Sequence, residues 1–163
     1  QASRDVSLTD RFPWIWLLMR KLPSIRVVRT VRLPVMQMYF CSRISTLANP
    51  DSVMCAIDSL KNIQGRKACI LGDMLEMGEN KEELHAKVGR YASDNGVDLL
   101  LTVGELSRYT CTAAEEISSL HFETNAELIS KLPELIKKGD TVLVKASHSM
   151  KFEEISEALK LLK

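Results

Sequence analysis

The sequence predicts an α/β fold with a mostly parallel sheet and helices on both faces of the sheet. Three short apolar runs, 67–71, 97–104 and 141–145, are bounded by Gly or turn residues, which is typical of buried parallel strands. Segments with helical periodicity separate these runs, and such alternation of helix and strand indicates a parallel sheet. We therefore divide the chain into an irregular segment, 1–47, and one domain, 48–163.

The first helix of the domain is predicted to begin at Asn49. Asn is a favoured N-cap residue, and Pro50 suits the first helical position. Apolar residues then recur with helical spacing at Val53, Ala56, Ile57 and Leu60. We expect this helix to end near Gly65, because Gly commonly follows the last turn of a helix.

The remaining elements follow from the same rules. In chain order they are a loop over 73–80, helices at about 81–95 and 107–118, a short strand at 121–123, and helices at about 126–138 and 152–162. Thr124 or Asn125 is expected to cap the helix at 126–138, and Pro133 is expected to kink or divide it.

Charge is distributed unevenly along the chain. Residues 1–49 carry eight Lys and Arg against two Asp and Glu, a net charge of +6, whereas residues 50–163 carry 14 against 19, a net charge of −5. Such asymmetry indicates different origins or partners for the two segments. The apolar stretch 14–19 is too short to span a bilayer and lacks the order of a signal peptide.

The four cysteines show no CxxC spacing. They are Cys41, Cys55, Cys69 and Cys111. Cys55 and Cys69 lie in apolar runs, so we expect reduced, buried thiols in a cytoplasmic protein, and neither a zinc site nor a disulfide framework.

Candidate functional residues lie where strands end, because ligands of α/β sheets collect at the carboxyl ends of the strands. Asp73 and Met74 follow the first predicted strand, and Lys145, Ser147 and His148 end or follow the last. A cation, a hydroxyl and an imidazole before a helix suit a carboxylate or phosphate. Two alternatives stay open: a solvated connection with Met74 in the core, and a loop in which Ser147 or Ser149 caps the last helix.

No P-loop, dinucleotide fingerprint, zinc-protease motif or catalytic triad spacing is present in the sequence. We therefore assign no catalytic residue and no metal ligand to the chain, and we expect that it does not turn over ATP alone.

A set of motifs occurs in a fixed order along the domain. They are Ala48-Asn-Pro-Asp-Ser52, Gly65-Arg-Lys67, Leu71-Gly-Asp-Met-Leu-Glu-Met-Gly78, a helix with His85 and Val88-Gly89, Val97-Asp-Leu-Leu-Leu-Thr-Val-Gly104, and Gly139-Asp-Thr-Val-Leu-Val-Lys-Ala-Ser-His-Ser-Met150. This ordered set resembles the C-terminal domain of the Mur ligase family, over about residues 48–163.

The resemblance implies a Rossmann-like domain that closes over a central ATPase domain. In the intact enzyme of this family, ATP and Mg²⁺ convert a substrate carboxylate to an acyl phosphate, which an amine then attacks. For this chain the resemblance implies D-Ala-D-Ala as the amine and UDP-MurNAc-tripeptide as the carboxylate, in peptidoglycan synthesis. It places Asn49 at the nucleotide and the loops of Asp73, Met74, Lys145, Ser147 and His148 at the incoming substrate.

The chain also departs from the family pattern. The acidic and Tyr residues expected before Asn49 are replaced by Arg43, Ile44, Ser45, Thr46 and Leu47, and Ala146 stands where Gly is usual. The central ATPase and N-terminal domains are not in this sequence, so we expect a fragment that is inactive alone, a monomer with no nucleic-acid or membrane partner.

Residues 1–47 are interpreted as a reading-frame artefact or a disordered segment. The resemblance stops inside a motif, the charge changes sign there, and one possible set of codons for 43–46, read one base out of frame, encodes Asp-Ile-Tyr. A segment without a selected pattern is not expected to fold cooperatively. Two alternatives are a non-catalytic binding module in the domain and a basic N-terminal adaptor for nucleic acid or a membrane surface.

Overall fold

The structure is a computed structural model that describes residues 29–32, 37–40, 49–75 and 78–162. Within these ranges, no helix has the length and apolar character that crossing a membrane requires.

The described residues form six strands and five helices, which alternate from the first helix onward. In chain order they are β1 (Arg29–Arg32), β2 (Gln37–Phe40), α1 (Pro50–Asp58), β3 (Lys67–Gly72), α2 (Lys81–Asp94), β4 (Leu99–Val103), α3 (Ser107–Thr112), β5 (Ser118–Phe122), α4 (Asn125–Leu135), β6 (Thr141–Lys145) and α5 (Glu153–Lys160). A single 3-10 turn, His148–Met150, precedes α5.

The strands form one sheet in the order β1-β2-β6-β3-β4-β5. All neighbours are parallel except β1 and β2, which are antiparallel. The prediction of a mostly parallel sheet is therefore confirmed. Within residues 1–47 the structure describes β1 and β2, which pair with each other, and β2 also pairs with β6. The rest of 1–47 lies outside the described residues, so the frame-shift interpretation and the adaptor alternative stay untested.

Helices cover both faces of the sheet, as predicted. Alternate strand residues point to opposite faces, so Cys69 and Leu71 pack with α1 and α2, whereas Ala68 and Ile70 pack with α4 and α5. The first face is completed by Val53, Ile57, Leu60, Val88 and Ala92, and the second by Leu128, Leu132, Ile155 and Leu159, all buried. Two apolar layers therefore hold β3 at the centre of the domain.

Several element boundaries differ from the prediction. α1 ends at Asp58, before the predicted end near Gly65. The apolar pattern continues to Leu60, but Leu60 is buried in the turns that follow the helix. α3 ends at Thr112, and the strand that follows, β5, is longer than the 121–123 expected. α4 begins after Thr124, whose side chain accepts the Glu127 N–H at 3.3 Å, and it includes Pro133 without dividing.

The cysteines are only partly as expected. Cys69 is buried in β3, and burial raises the pKa of its thiol, so it stays protonated. Cys55 is exposed on α1 although its neighbours in sequence are apolar, because it lies on the solvent side of the helix. Cys55, Cys69 and Cys111 are all free thiols.

Asp140 ties together three segments at the amino end of the sheet. Its Oδ2 accepts from the Arg66 guanidinium at 2.9 Å and from the Lys137 N–H at 2.8 Å, and the side chain is 3% exposed. Arg66 also donates to the Leu135 carbonyl at 3.1 Å. The carboxylate therefore holds α4, the turn before β6 and the start of β3 in one network.

We expect Asp140→Ala to lower the free energy of unfolding by about 2 kcal/mol, because it leaves a backbone N–H and part of a guanidinium unpaired. Urea denaturation measures the loss. Asp98→Ala is the matched control. The Asp98 carboxylate likewise accepts one backbone N–H, from Lys67 at 2.7 Å, but Asp98 is exposed. An equal loss in both variants would contradict the role of burial at Asp140.

Candidate functional site

The carboxyl ends of the parallel strands meet at one edge of the sheet. Leu71 in β3 lies opposite Lys145 in β6, and Gly72 lies opposite Val103 in β4. The loops that follow these three strands therefore start side by side, and the structure describes them at 73–75 and 78–80, 104–106 and 146–152. Loops at this edge are where ligands of open α/β sheets bind.

Asp73 joins all three loops. Its Oδ1 accepts the N–H of Ser107, the first residue of α3, at 2.7 Å, and its carbonyl oxygen accepts the Ser147 N–H at 3.2 Å. The side chain is 5% exposed. The carboxylate lies against Gly104, where an added Cβ would come within 2.6 Å of it. Asp73 is thus committed to holding the loops together.

Met74 is anchored through both its backbone and its side chain. The side chain is buried in the apolar layer on the α1 and α2 face, as the core alternative expected. Its N–H donates to Nε2 of His85 at 3.0 Å, and Nδ1 of His85 lies 2.7 Å from the Lys81 carbonyl oxygen. Burial lowers the pKa of His85, which favours the neutral ring.

Ser147 connects the last loop to the first. Its Oγ accepts the Leu75 N–H at 3.1 Å, and it makes no side-chain capping bond to the turn that follows. α5 begins after Phe152, which also supplies no side-chain cap. Neither Ser147 nor Ser149 therefore caps the last helix, so this alternative is wrong. His148 is exposed, with Nδ1 3.8 Å from Glu153.

Lys145 provides the cation of this edge. The residue is 8% exposed, and no hydrogen bond or ion pair is found for its ammonium group within the described residues. Lys145 is thus a mostly buried residue at the end of β6, two residues before Ser147 in the loop that follows.

The loop after β6 is fixed from two further directions. The Phe152 ring packs over Gly72, where an added Cβ would come within 2.6 Å of it. The Asn125 side chain donates to the Met150 carbonyl at 2.8 Å, which ties the loop to the start of α4. The backbone that carries Ser147 and His148 is therefore held between β3 and α4.

Asn49 caps α1, as predicted. Its Oδ1 accepts the Ser52 N–H at 2.8 Å, and Pro50 occupies the first helical position. The residue is exposed, so its side-chain NH₂ is accessible to solvent. The structure does not group Asn49 with the strand-end residues by any contact among those it describes.

Two residues of this site were not identified from the sequence. His85 accepts the Met74 N–H, and the Ser107 N–H donates to Asp73. The sequence offered one signal, which is that His85 lies inside the ordered motif set; on periodicity alone it is indistinguishable from an ordinary packed histidine. The described residues contain no group of three or more side chains that could hold a metal ion.

Sequence comparison identifies a family and several relatives. Residues 44–148 match the family model described as Mur ligase, glutamate ligase domain. UDP-N-acetylmuramoyl-tripeptide--D-alanyl-D-alanine ligase of Bacillus subtilis is 34% identical over 118 residues, which are 69% of this chain and 26% of that protein. The enzyme of the same name from Haemophilus influenzae is 36% identical over 119 residues, 69% of this chain and 25% of that protein. The chain thus spans about a quarter of the length of these relatives.

Solved structures share the fold. MurF from Acinetobacter baumannii superposes with a TM-score of 0.73 at 22% identity, over 82% of this chain and 30% of that one. MurF ligase from Thermotoga maritima, determined in complex with ADP, gives a TM-score of 0.69 at 20% identity, over 94% of this chain and 36% of that one. The family match and the shared fold lead to the same conclusion: the chain belongs to the Mur ligase family and represents its C-terminal domain.

Proposed function

We propose that this chain is the C-terminal domain of an ATP-dependent ligase that adds D-Ala-D-Ala to UDP-MurNAc-tripeptide. The names of the relatives support this reaction. The observation that carries the proposal is the strand-end edge, where Lys145 ends β6 immediately before a loop braced by Asp73 and Ser147. A lysine at the end of a strand, beside a rigid loop, suits the carboxylate of an incoming dipeptide.

Within this proposal some residues contact the substrate, and others hold the loops in place. Lys145 binds the carboxylate of D-Ala-D-Ala, and exposed His148 lies at the rim. Asp73, Met74 and Ser147 brace the loops, since their polar groups or side chains are already committed to other parts of the domain. This division refines the expectation that all five contact the substrate.

Within this proposal Asn49 contacts the nucleotide, whereas the described residues provide no metal site. ATP would approach Asn49, whose side-chain NH₂ is free of the capping bond made by its oxygen. Mg²⁺ does not fit the described residues, since no set of three ligating side chains is found among them. We therefore derive no step of the reaction from a metal held by this chain.

Activity of a chimera tests the proposal. Residues 49–163 would replace the corresponding domain of the Haemophilus influenzae relative, and phosphate release that depends on D-Ala-D-Ala would be measured. Product formation by the folded chimera is the expected result. Binding of D-Ala-D-Ala by the chimera without product would instead favour the non-catalytic binding module.

We expect Lys145→Ala in that chimera to weaken D-Ala-D-Ala binding by about 1.5–3 kcal/mol, because a charge-assisted hydrogen bond is lost. Ser149→Ala should cost at most about 0.5–1.5 kcal/mol, since it removes a neutral rim hydroxyl. The Kd for D-Ala-D-Ala, measured by calorimetry, gives both values. Lys131→Ala, which removes an exposed cation on α4, is the charge control and should leave the Kd unchanged. Equal effects at Lys145 and Ser149 would contradict the assignment.

A further inference from the structure

His85 is fully buried, yet both of its ring nitrogens have polar partners. Nε2 accepts the Met74 N–H at 3.0 Å, and Nδ1 lies 2.7 Å from the Lys81 carbonyl oxygen, to which it must donate. A backbone N–H can only donate, so Nε2 carries no proton and the ring is the neutral tautomer protonated at Nδ1. The two hydrogen bonds alone identify this tautomer of the neutral ring.

The Met74 bond lies between the contacts that brace the strand-end loops. On one side, Asp73 accepts from the N–H groups of Ser107 and Ser147; on the other, the Leu75 N–H donates to Ser147 Oγ. His85 thus attaches the middle of this short segment to α2. The Thr110 hydroxyl, which donates to the His85 carbonyl at 3.0 Å, fixes that turn of α2 against α3.

Protonation would remove the bond. A charged imidazole carries N–H groups on both nitrogens, so Nε2–H would face the Met74 N–H as donor against donor. Burial lowers the pKa of His85, with the Lys81 carbonyl and the Asp73 carboxylate acting in the opposite direction. The other charged or titratable side chains on α1, α2 and α3 are partly or fully exposed: they are Asp51, Cys55, Asp58, Lys81, Glu82, Glu83, Lys87, Arg90, Tyr91, Asp94, Arg108, Tyr109 and Cys111.

Building on the function proposed above, we propose that His85 is a positioning residue for the incoming dipeptide: its neutral ring holds Asp73, Met74 and Leu75 in the arrangement that presents Lys145 and Ser147, and its protonation releases them. The ring touches no substrate. It acts through the Met74 N–H, one residue from the carboxylate that joins the loops.

Two substitutions of His85 test its two hydrogen bonds one at a time. The distal oxygen of Gln reaches the position of Nε2, so His85→Gln retains an acceptor for Met74 and cannot titrate. The nearer amide of Asn reaches the position of Nδ1, so His85→Asn retains the donor to the Lys81 carbonyl and loses the Met74 bond. Both variants stay polar and uncharged, which makes each the control for the other.

Hydrogen exchange of the Met74 amide in the chain itself is the first measurement. Protection is corrected for the intrinsic rate and compared with that of the Ile70 amide in β3. In the wild type, Met74 protection should fall about tenfold between pH 7 and an acid pH at which the ring is charged, which lies below the ordinary histidine range because burial lowers the pKa of His85; tenfold is the usual worth of one buried hydrogen bond. His85→Gln should remain protected at both pH values, and His85→Asn should be about tenfold less protected at both. Wild-type protection that is independent of pH, or unchanged in His85→Asn, would overturn the inference.

The second measurement uses the folded chimera and separates this inference from the proposed function. The dipeptide amine titrates in every variant, so KM for D-Ala-D-Ala should rise more steeply on the acid side in the wild type than in His85→Gln, and should be raised at all pH values in His85→Asn, with kcat less affected. An active chimera whose KM follows the same pH profile in the wild type and in His85→Gln would overturn the role of His85 alone. A folded chimera that makes no product would overturn the proposed function, and the substrate part of this inference with it.

Discussion

Replacing Gly104 by Ala is expected to lower the free energy of unfolding by about 3–5 kcal/mol. Gly104 follows β4 with a φ of +116°, a conformation that residues with a Cβ rarely adopt, so strain contributes about 1–3 kcal/mol. The added Cβ would also lie 2.6 Å from the Asp73 carboxylate, which must then move and lose its bond to the Ser107 N–H. Loss of a hydrogen bond to a charged group adds about 1.5–3 kcal/mol.

Gly139→Ala is the matched control for this substitution. Gly139 also has a positive φ, +94°, but an added Cβ would meet no atom within 4 Å, so this variant measures backbone strain alone. Urea denaturation of both variants gives the difference that belongs to the Asp73 collision. If the two variants are equally destabilised, the carboxylate of Asp73 does not hold the end of β4 as the structure indicates.

Replacing Gly89 by Ala should cost about 3 kcal/mol, although Ala is the better helix former by about 1 kcal/mol. Gly89 lies on α2 where that helix crosses α3, and an added Cβ would overlap the Thr110 carbonyl oxygen and lie 2.9 Å from its carbon. Because the obstacle is backbone rather than a flexible side chain, the helices must separate, and overpacking of this kind costs about 1–3 kcal/mol or more. Thermal and urea denaturation measure the loss.

Gly78→Ala provides the comparison for Gly89. Gly78 is exposed, has no positive φ, and has no atom within 4 Å of an added Cβ. Its replacement should leave stability unchanged or raise it by about 0.4–1 kcal/mol, since Ala restricts the unfolded chain. A similar response at Gly78 and Gly89 would contradict the close approach of α2 and α3.

The strands at the centre of the sheet could be predicted because burial on both faces makes them continuously apolar. β3, β4 and β6 are apolar runs with clear ends, and their predicted positions are confirmed within about two residues. β5 was recognised only at its last residues, because an edge strand that is half exposed need not be apolar, and Ser118 and Ser119 give no signal. After α1 the apolar pattern predicted too long a helix, since Leu60 is buried in turns outside the helix.

The candidate site was predictable in position and less so in roles. The rule that parallel strands place their ends together correctly located Asp73, Lys145 and Ser147. It could not show that the Asp73 carboxylate turns inward to α3, or that Met74 meets a histidine 11 residues later. Both contacts depend on how α2 and α3 pack on the sheet, which a local sequence pattern does not encode.

The place of β6 in the sheet determines the order in which the domain can assemble. β6 is the last strand of the chain, yet it is the strand that joins the β1-β2 pair to β3, β4 and β5. During synthesis, β2 and β3 both wait for a neighbour that emerges only when residues 141–145 have left the ribosome. β3, β4 and β5 can pair without β6, whereas the β1-β2 pair joins them only across a long chain loop, which is slow to close, so it is attached to the sheet after β6 has been translated.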